Sequence, residues 1–398
     1  MRSRAYLLIL GLLASCAAPL QFSGPPKLDL APVSFADLPG WSDDPVSQTL
    51  PAFLKSCADF AGLADDAVIG PGGPNAGEGN AADWKRVCAD AANLGPAADD
   101  ATARKFFESE FTPYAAGDRG QGVAQTQARF TGYYEPLLRG SLKRGGAYQT
   151  PLLKRPPDLV SVDLGRFRPA WRGERIAGRV EDGKLAPYDT RAQIESGSLD
   201  RFGLASVWVD DPVAAFFLQI QGSGRVKLDG GGMLRLGYDG ENGQPYVSIG
   251  RLLVERGAMT LDQVSAQSIK SWLASHPDQA KELMDRNQSY VFFRVLPDRA
   301  ESDGPLGTEG VALTPGRSLA VDHEFISFGV PVFIDAEQDG QNPVRILAVA
   351  QDTGAAIKGP LRGDLFWGFG NGAESAAGAM RAQGRLYLLL PNPAPEKP

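Results

Sequence analysis

Residues 352–370 read DTGAAIKGPLRGDLFWGFG, a glycine-rich stretch that places two carboxylates, Asp352 and Asp364, among aromatic side chains. Glycine lets a backbone turn tightly and lets an extended polymer approach it closely. A carboxylate beside aromatic rings loses hydration and tends to keep its proton at neutral pH. Cleavage of a glycosidic bond needs an acid of this kind. Asp and Gly are also the ordinary residues of turns, so this stretch alone leaves a purely structural role open.

Histidine is scarce in this chain, which favours carboxylates for acid and base chemistry. The 398 residues include two histidines, His276 and His323, so a histidine-based triad or a multi-histidine metal site is hard to assemble. His276 directly precedes Pro277, which is typical of a first helical residue, and we interpret the histidine as a helix-boundary residue. We predict no metal and no organic cofactor.

The N-terminus has the pattern of a bacterial lipoprotein signal. Arg2 and Arg4 precede an apolar run over 5–13, which is too short to span a bilayer, and the run leads into Leu13-Ala14-Ser15-Cys16. Small residues before a cysteine at this distance predict cleavage before Cys16 and lipidation of that residue. An ordinary signal peptide that happens to contain a cysteine is the alternative.

This N-terminal pattern predicts where the mature protein resides. We expect a signal peptide at 1–15, followed by a lipidated tether over 16–40 that is rich in proline and small residues. Ala17, rather than an aspartate, follows the cysteine and is compatible with sorting to the outer membrane. The predicted location is the periplasmic face of the outer membrane, with the lipid anchor in that membrane.

Cys57 and Cys88 are the remaining cysteines, and an even pair in an oxidising compartment predicts a disulfide between two short helices. Two buried thiols are the alternative. Two sulfurs without nearby histidines do not complete a zinc site.

The formal net charge of -7, without basic clusters among aromatics, argues against nucleic acid as a partner.

Composition and patterning predict a mainly β protein with a few helices. The chain has 47 glycines and 30 prolines, which indicates many turns, and its length allows two domains. Helices are expected around the two cysteines, over 248–287, where Thr260 to Gln263 form a capping-box pattern, and over 373–383. Strands are expected over 128–138, 148–154, 205–221, 227–238, 290–296, 318–321, 330–334, 345–349 and 386–390.

The predicted strand over 213–221 suggests one wall of a binding groove. Alternation along a strand puts Gln219 and Gln221 on one face, pointing into a groove or into solvent. Gly222 and Ser223 follow and would expose backbone amides to sugar hydroxyls or acetamido groups. A hairpin turn that feeds the next strand is the alternative interpretation.

Four sequence blocks carry a resemblance to a known family. They are FTGYYEP at 130–136, QIQGSG at 219–224, NQSYVFF at 287–293 and a C-terminal module that contains Asp322, Asp352 and Asp364. Over residues 35–391 the chain resembles the membrane-bound lytic murein transglycosylase A family. The resemblance implies a double-psi β-barrel with an inserted second β-rich domain. Its implied parts are a barrel from 41–137 and 303–393, with the three-aspartate module at about 311–391, and an insert over 138–302 that includes the helical segment 248–287.

The resemblance also implies roles for individual residues. Asp364 matches the catalytic acid of the family, while Asp352 and Asp322 would support it by orienting it, raising its pKa or bonding loop amides. Thr131 and Tyr133 would lie near the acid, and Trp367 would stack on a sugar or pack in the core. Ala355 stands where the family usually has a second glycine. The implied substrate-binding residues are Thr131, Tyr133, Gln219, Gln221, Gly222, Ser223 and Trp367.

The reaction implied by the resemblance is cleavage of peptidoglycan glycan strands at the β-1,4 bond between N-acetylmuramic acid and N-acetylglucosamine. One Asp would act as acid and then as base, and the product would carry a 1,6-anhydromuramyl end. Proteins of cell-wall synthesis or division are candidate partners. Two alternatives stay open: a non-catalytic glycan-binding lipoprotein, and a hydrolase that uses water with Asp352 as base and Asp364 as acid.

Overall fold

The computed structural model describes residues 25–70, 77–120, 125–171, 174–297, 303–338, 342–354 and 356–393. The predicted signal peptide, Cys16 and Ala355 lie outside the described residues. Within the described ranges, no helix combines the length and the apolar character needed to cross a membrane.

The described residues are mainly β, as predicted. The helices are α1 (Leu50–Ala61), α2 (Ala81–Leu94), α3 (Asp100–Glu110), α4 (Arg191–Glu195), α5 (Pro212–Gln221), α6 (Ile249–Glu255), α7 (Ala266–Ser275), α8 (Pro277–Asp285) and α9 (Gly370–Ala379). The strands are β1 (Leu28–Pro32), β2 (Phe111–Asp118), β3 (Ala128–Glu135), β4 (Leu137–Ser141), β5 (Thr150–Leu153), β6 (Val160–Asp163), β7 (Arg175–Glu181), β8 (Lys184–Pro187), β9 (Ala205–Val209), β10 (Gly224–Leu228), β11 (Met233–Glu241), β12 (Val291–Val295), β13 (Ser318–Val321), β14 (Pro331–Gln338), β15 (Val344–Asp352), β16 (Arg362–Phe369) and β17 (Arg381–Pro391).

Six strands close into a barrel in the order β17, β14, β15, β13, β16, β3 and back to β17. Closure works because the first part of β17 pairs with β3, whereas its last part pairs with β2, which continues the sheet to β1. Two pairs in the ring, β13 with β15 and β16 with β3, are parallel. The predicted fold class, a mainly β barrel with a second β-rich part and a few helices, is confirmed.

Helices α1, α2 and α3 pack against the barrel and share its core. Phe60 of α1 stacks on Trp84 of α2 with ring centroids 4.8 Å apart, and both rings are buried. The predicted disulfide is confirmed, since Cys57 and Cys88 join the two helices with an S–S distance of 2.08 Å.

A second sheet, in the order β12, β11, β10, β4, β9, β5, is built from residues that lie between β3 and β13 in the chain. A small sheet of β6, β7 and β8 also lies within this stretch, and residues 137–295, from β4 to β12, are called the inserted part. Helices α5 to α8 form their own apolar cluster beside this sheet. The predicted helical segment over 248–287 is confirmed, with a capping box at Thr260 and Pro277 in the first turn of α8.

The predicted strand over 213–221 is wrong, because these residues form helix α5. The Asp211 carboxylate accepts hydrogen bonds from the amides of Val213 and Ala214, which satisfies donors that a helix start leaves free. Gly222 ends the helix with a φ of 77°. Buried apolar residues cover several sides of this helix, so its sequence lacks the polar stripe that identifies a surface helix.

Two predicted boundaries are also wrong. The tether predicted over 16–40 is too long, because Leu28–Pro32 pair with β2 and Leu38 is buried in the barrel core. The helix predicted over 373–383 ends at Ala379, because residues 381–384 pair with β3 and complete the barrel.

Candidate active site

Five neighbouring barrel strands carry the candidate residues at one level. Across β17, β3, β16, β13 and β15, the successive backbone partners are Arg381, Thr131, Asp364, Ala320 and Asp352. Cross-strand partners share a face of the sheet. The residues that alternate with them, such as Phe130, Leu319 and Leu365, belong to the barrel core, so the candidate residues face away from it. Ala320, a small and buried residue, lies between the two aspartates in this row.

Asp364 is the partly buried carboxylate at the centre of this row. Its Oδ1 accepts a hydrogen bond of 2.6 Å from the hydroxyl of Thr131. In the described part of the chain no donor reaches its Oδ2. Burial raises the pKa of Asp364 to about 6, although the Thr131 hydroxyl and the nearby Arg362 charge oppose the shift, and the charge of Asp352 adds a smaller increase. A carboxyl with this pKa can hold and release a proton near neutral pH.

Arg362 is a site residue that the sequence analysis did not assign. Its Nη2 donates a hydrogen bond of 2.7 Å to the hydroxyl oxygen of Thr131, the same hydroxyl that donates to Asp364. Arg362 lies two residues before Asp364 on β16, so alternation along the strand places both side chains on one face. This spacing of two residues was the signal in the sequence that could have identified Arg362.

Asp352 ends β15 and is held by four hydrogen bonds. Its Oδ1 accepts from the amide and the hydroxyl of Thr308, both at 2.9 Å, and from the amide of Thr353 at 2.9 Å. Its Oδ2 accepts from the hydroxyl of Tyr133 at 2.9 Å. Burial raises the pKa of Asp352 in spite of these bonds. Thr308 was missed in the sequence, where no local pattern distinguishes it.

Three supporting roles were considered for Asp322: orienting the acid, raising its pKa or bonding loop amides. Its contacts agree with the last of these. This buried carboxylate follows β13 and accepts a hydrogen bond of 2.7 Å from the amide of Gly359, in the loop between β15 and β16. Its other oxygen accepts from the amide of Glu324 at 3.3 Å. Asp322 therefore holds the loop that leads into β16, the strand that carries Asp364.

The structure places Trp367 in the packing between β3 and α9. Its Nε1 lies 3.4 Å from the sulfur of Met380, and its ring packs with Tyr134 and Ala377. Phe366, rather than Trp367, is the aromatic side chain on the Asp364 side, with its ring centroid 5.2 Å from that of Tyr133. Of the two interpretations of Trp367, packing therefore describes its position.

The residues at the end of α5 do not form the predicted strand face. Gln219 is buried within the inserted part. Gln221 lies at the boundary with the barrel, where its Oε1 accepts a hydrogen bond of 3.2 Å from the amide of Tyr134. Gly222 caps the helix, and Ser223 follows it as a partly buried residue. The structure thus brings Gln221 next to the strand that carries Thr131, but it places Gln219 in the interior.

Comparison with known proteins defines the family. Residues 129–294 match the MltA specific insert domain, and residues 317–390 match the 3D domain. Membrane-bound lytic murein transglycosylase A of Vibrio cholerae is 32% identical over 69% of this chain and 68% of the relative. The chain belongs to the membrane-bound lytic murein transglycosylase A family. The counterpart from Escherichia coli K12 is 31% identical over 67% of this chain and 66% of that protein.

Solved structures in this family share the fold. The membrane-bound lytic murein transglycosylase of Agrobacterium tumefaciens superposes with a TM-score of 0.76 at 32% identity, covering 92% of this chain and 98% of that one. MltA from Neisseria gonorrhoeae, in its monoclinic form, gives a TM-score of 0.75 at 33% identity, covering 94% of this chain and 97% of that one.

Proposed function

We propose that this protein cleaves the glycan strands of peptidoglycan as a lytic transglycosylase. Relatives that are 31–32% identical carry the name membrane-bound lytic murein transglycosylase A. The observation that carries the proposal is Asp364, a carboxyl with a pKa raised to about 6 and one oxygen that no described residue bonds. Such a group can protonate a glycosidic oxygen that lies next to it.

One carboxyl suffices if the substrate supplies the nucleophile. The proton on Asp364 passes to the oxygen between N-acetylmuramic acid and N-acetylglucosamine, the bond from that oxygen to C1 of the muramyl ring breaks, and the N-acetylglucosamine hydroxyl departs. The Asp364 carboxylate then takes the proton of the muramyl C6 hydroxyl as its oxygen bonds to C1. The acid is regenerated and the product carries a 1,6-anhydro ring. Because nucleophile and electrophile belong to one sugar, the entropy cost of a bimolecular attack is removed.

The bonding of Asp352 favours this route over hydrolysis. A water-using enzyme of the inverting type needs a second carboxylate with free lone pairs to activate water. Both oxygens of Asp352 already accept hydrogen bonds, three on Oδ1 and one on Oδ2. Oδ2 keeps one lone pair, but all four bonds oppose protonation of Asp352. They therefore favour a supporting role for this carboxylate over the role of a base.

Substitution of Asp364 by Asn tests the proposal. We expect the Asp364→Asn variant to release no anhydro-ended fragments from purified sacculi, as measured by mass spectrometry, while it still binds the sacculi. Asp210→Asn is a matched control, since Asp210 forms a surface ion pair with Arg139. Fragments with reducing ends from the wild type would support the hydrolase, and intact strands would support a binding protein. Near-normal turnover by Asp364→Asn would remove Asp364 from the reaction.

We also infer that a lipid on Cys16 attaches the protein to the periplasmic face of the outer membrane. The sequence before Cys16 supports this inference, and so does the term membrane-bound in the names of the relatives. The mass of the mature N-terminus tests it, because an N-terminus without a lipid on Cys16 would contradict the anchor.

A further inference from the structure

A cavity of about 240 Å³ lies between the inserted part and the barrel, and the proposed reaction does not use it. Helices α5, α6 and α7 supply most of its wall, and the first residue of β17 closes it from the barrel side. Its lining includes Phe217, Ile220, Gln221, Tyr246, Ile269 and Arg381. Pockets for whole drug-sized ligands measure about 300–1,000 Å³, so this cavity suits one arm of a larger ligand.

One residue of the cavity lining, Arg381, lies two strands away from the candidate acid. Arg381 is the direct backbone partner of Thr131, and Thr131 is in turn the partner of Asp364. Neighbouring strands lie about 4.8 Å apart, so the Cα atoms of Arg381 and Asp364 are separated by roughly 10 Å on one face of the sheet. A side chain the length of arginine can reach a substituent of a sugar whose C1 lies at Asp364.

Arg381 is an exposed cation without a partner in the described part of the chain, where no hydrogen bond or ion pair involves its guanidinium. Lys270, another cation near the cavity, is already paired with Glu374 at 2.5 Å and lies over the ring of Phe217. Arg381 is therefore the cation available to a ligand. A guanidinium binds a carboxylate through two parallel hydrogen bonds, which makes it selective for that group.

Gln221 adds a second polar group to the same cavity. Its Oε1 is engaged by the amide of Tyr134, so its carboxamide is held in one orientation. None of the described residues accepts a hydrogen bond from its Nε2, which leaves that group for an acyl carbonyl of a ligand. The remaining wall is mixed: Ser248 and Ser265 add hydroxyls, while Ile220 and Ile269 form an apolar part that suits methyl groups.

We propose that this cavity binds the lactyl-peptide arm of muramic acid and that Arg381 recognises its carboxylate. The inference rests on the proposed function and specifies the substrate. Muramic acid differs from glucosamine by a lactyl group on O3, which carries either its own carboxylate or a short peptide with carboxylates. Methyl groups of the lactyl and alanyl units would lie against Ile220 and Ile269, and Gln221 would donate to an acyl carbonyl. A chitin oligomer has none of these groups.

Binding to the full-length Asp364→Asn protein separates this inference from the proposed activity. Dissociation constants are measured by calorimetry for three tetrasaccharides: peptide-bearing muramyl, peptide-free muramyl with a lactyl carboxylate, and chitotetraose. Arg381→Gln should weaken binding of at least one muramyl ligand by about tenfold or more, the effect of one lost charge-assisted hydrogen bond. Chitotetraose binding should not change. The muramyl ligand whose binding is weakened shows whether Arg381 binds the lactyl or the peptide carboxylate.

Two control variants complete the test. Arg381→Lys keeps the charge and should recover part of the lost affinity. Arg385→Gln removes another exposed arginine of β17 that does not line the cavity, and it should bind all three ligands as the parent does. Equal weakening of chitotetraose and muramyl ligands by Arg381→Gln, or no weakening of either, would overturn the inference. Neither result depends on whether the wild type forms anhydro ends.

Discussion

The hydroxyl of Thr131 has one hydrogen and two polar neighbours, and this fixes the direction of both hydrogen bonds. Arg362 can only donate, so the Thr131 oxygen accepts from it and the hydroxyl hydrogen is directed to Oδ1 of Asp364. Oδ1 then acts as an acceptor, so the carboxyl proton of Asp364 resides on Oδ2. That oxygen has no described donor, which leaves its proton for the substrate.

Substitution of Thr131 by Val should change the pH dependence of turnover. The hydrogen bond from Thr131 lowers the pKa of Asp364, so its loss raises that pKa above its present value of about 6. Because the acid form is needed, activity is lost as pH rises through this pKa, and the falling limb of the kcat profile should move to higher pH. Turnover at low pH should fall by about tenfold or more, since Asp364 becomes a carboxylate as its proton leaves and the hydrogen bond that stabilises this carboxylate is lost.

Thr131→Ser provides the control for that prediction, because it keeps the hydroxyl and should keep the limb of the wild type. Initial rates on soluble glycan oligomers across a pH series measure both variants. An unshifted limb in Thr131→Val would show that Thr131 does not act on the proton of Asp364.

Most of the individual residues of the candidate active site could be predicted from the sequence. The family resemblance named Asp364, Asp352, Thr131 and Tyr133, and the structure joins them into two hydrogen-bonded pairs. Thr308 could not be found, because its contact with Asp352 depends on a loop remote in sequence. Trp367 could have been placed from strand alternation, since residues three apart on a strand face opposite sides.

The main error at the level of elements concerns α5, Pro212–Gln221. A short run of apolar residues fits a buried strand or a buried helix equally well, and alternation alone does not separate them. The deciding signals lay at the ends: Asp211 before Pro212 is a helix start, and Gly222 is a typical helix stop. These two signals predict a helix, and in a helix residues two apart, such as Gln219 and Gln221, point in different directions.

The packing of α9 on β3 sets the position of the strand that carries Thr131. Gly132 allows this contact, since a Cβ added there would lie 2.5 Å from Nε1 of Trp367 and 2.8 Å from the Cα of Ala377. Gly132→Ala should lower the free energy of unfolding by about 1–3 kcal/mol, the cost of overpacking. Urea unfolding followed by circular dichroism measures the change.

Gly372→Ala is the matched control on the exposed side of α9. Residue 372 lies in α9, and an added Cβ there would have no atom within 4 Å. Alanine also favours a helix over glycine by up to about 1 kcal/mol, so this variant should be neutral or slightly more stable. Equal stabilities of the two variants would show that close approach of α9 and β3 does not require Gly132.

At the scale of the whole molecule, the barrel depends on pairings between distant parts of the chain. β3 lies between β16 and β17, which follow it by more than two hundred residues of sequence. Local patterns predicted most of the individual strands, but no local pattern specifies such partners, and the arrangement came from the family resemblance. The pairing of β1 was missed because five residues in a proline-rich segment carry little periodicity.

The Cys57–Cys88 disulfide should stabilise the molecule without setting the chemistry of its site. It closes a loop with a sequence separation of 31, and loops of this size contribute about 3–4 kcal/mol by restricting the unfolded chain. The double variant Cys57→Ala, Cys88→Ala should lose about that free energy of unfolding in urea. Its kcat should stay near that of the wild type, because Ser56 of α1 still binds Gln351, the neighbour of Asp352, at 2.8 Å. The wild type under reducing conditions should lose a similar free energy of unfolding. An unchanged urea midpoint in both proteins would show that the disulfide does not stabilise the fold.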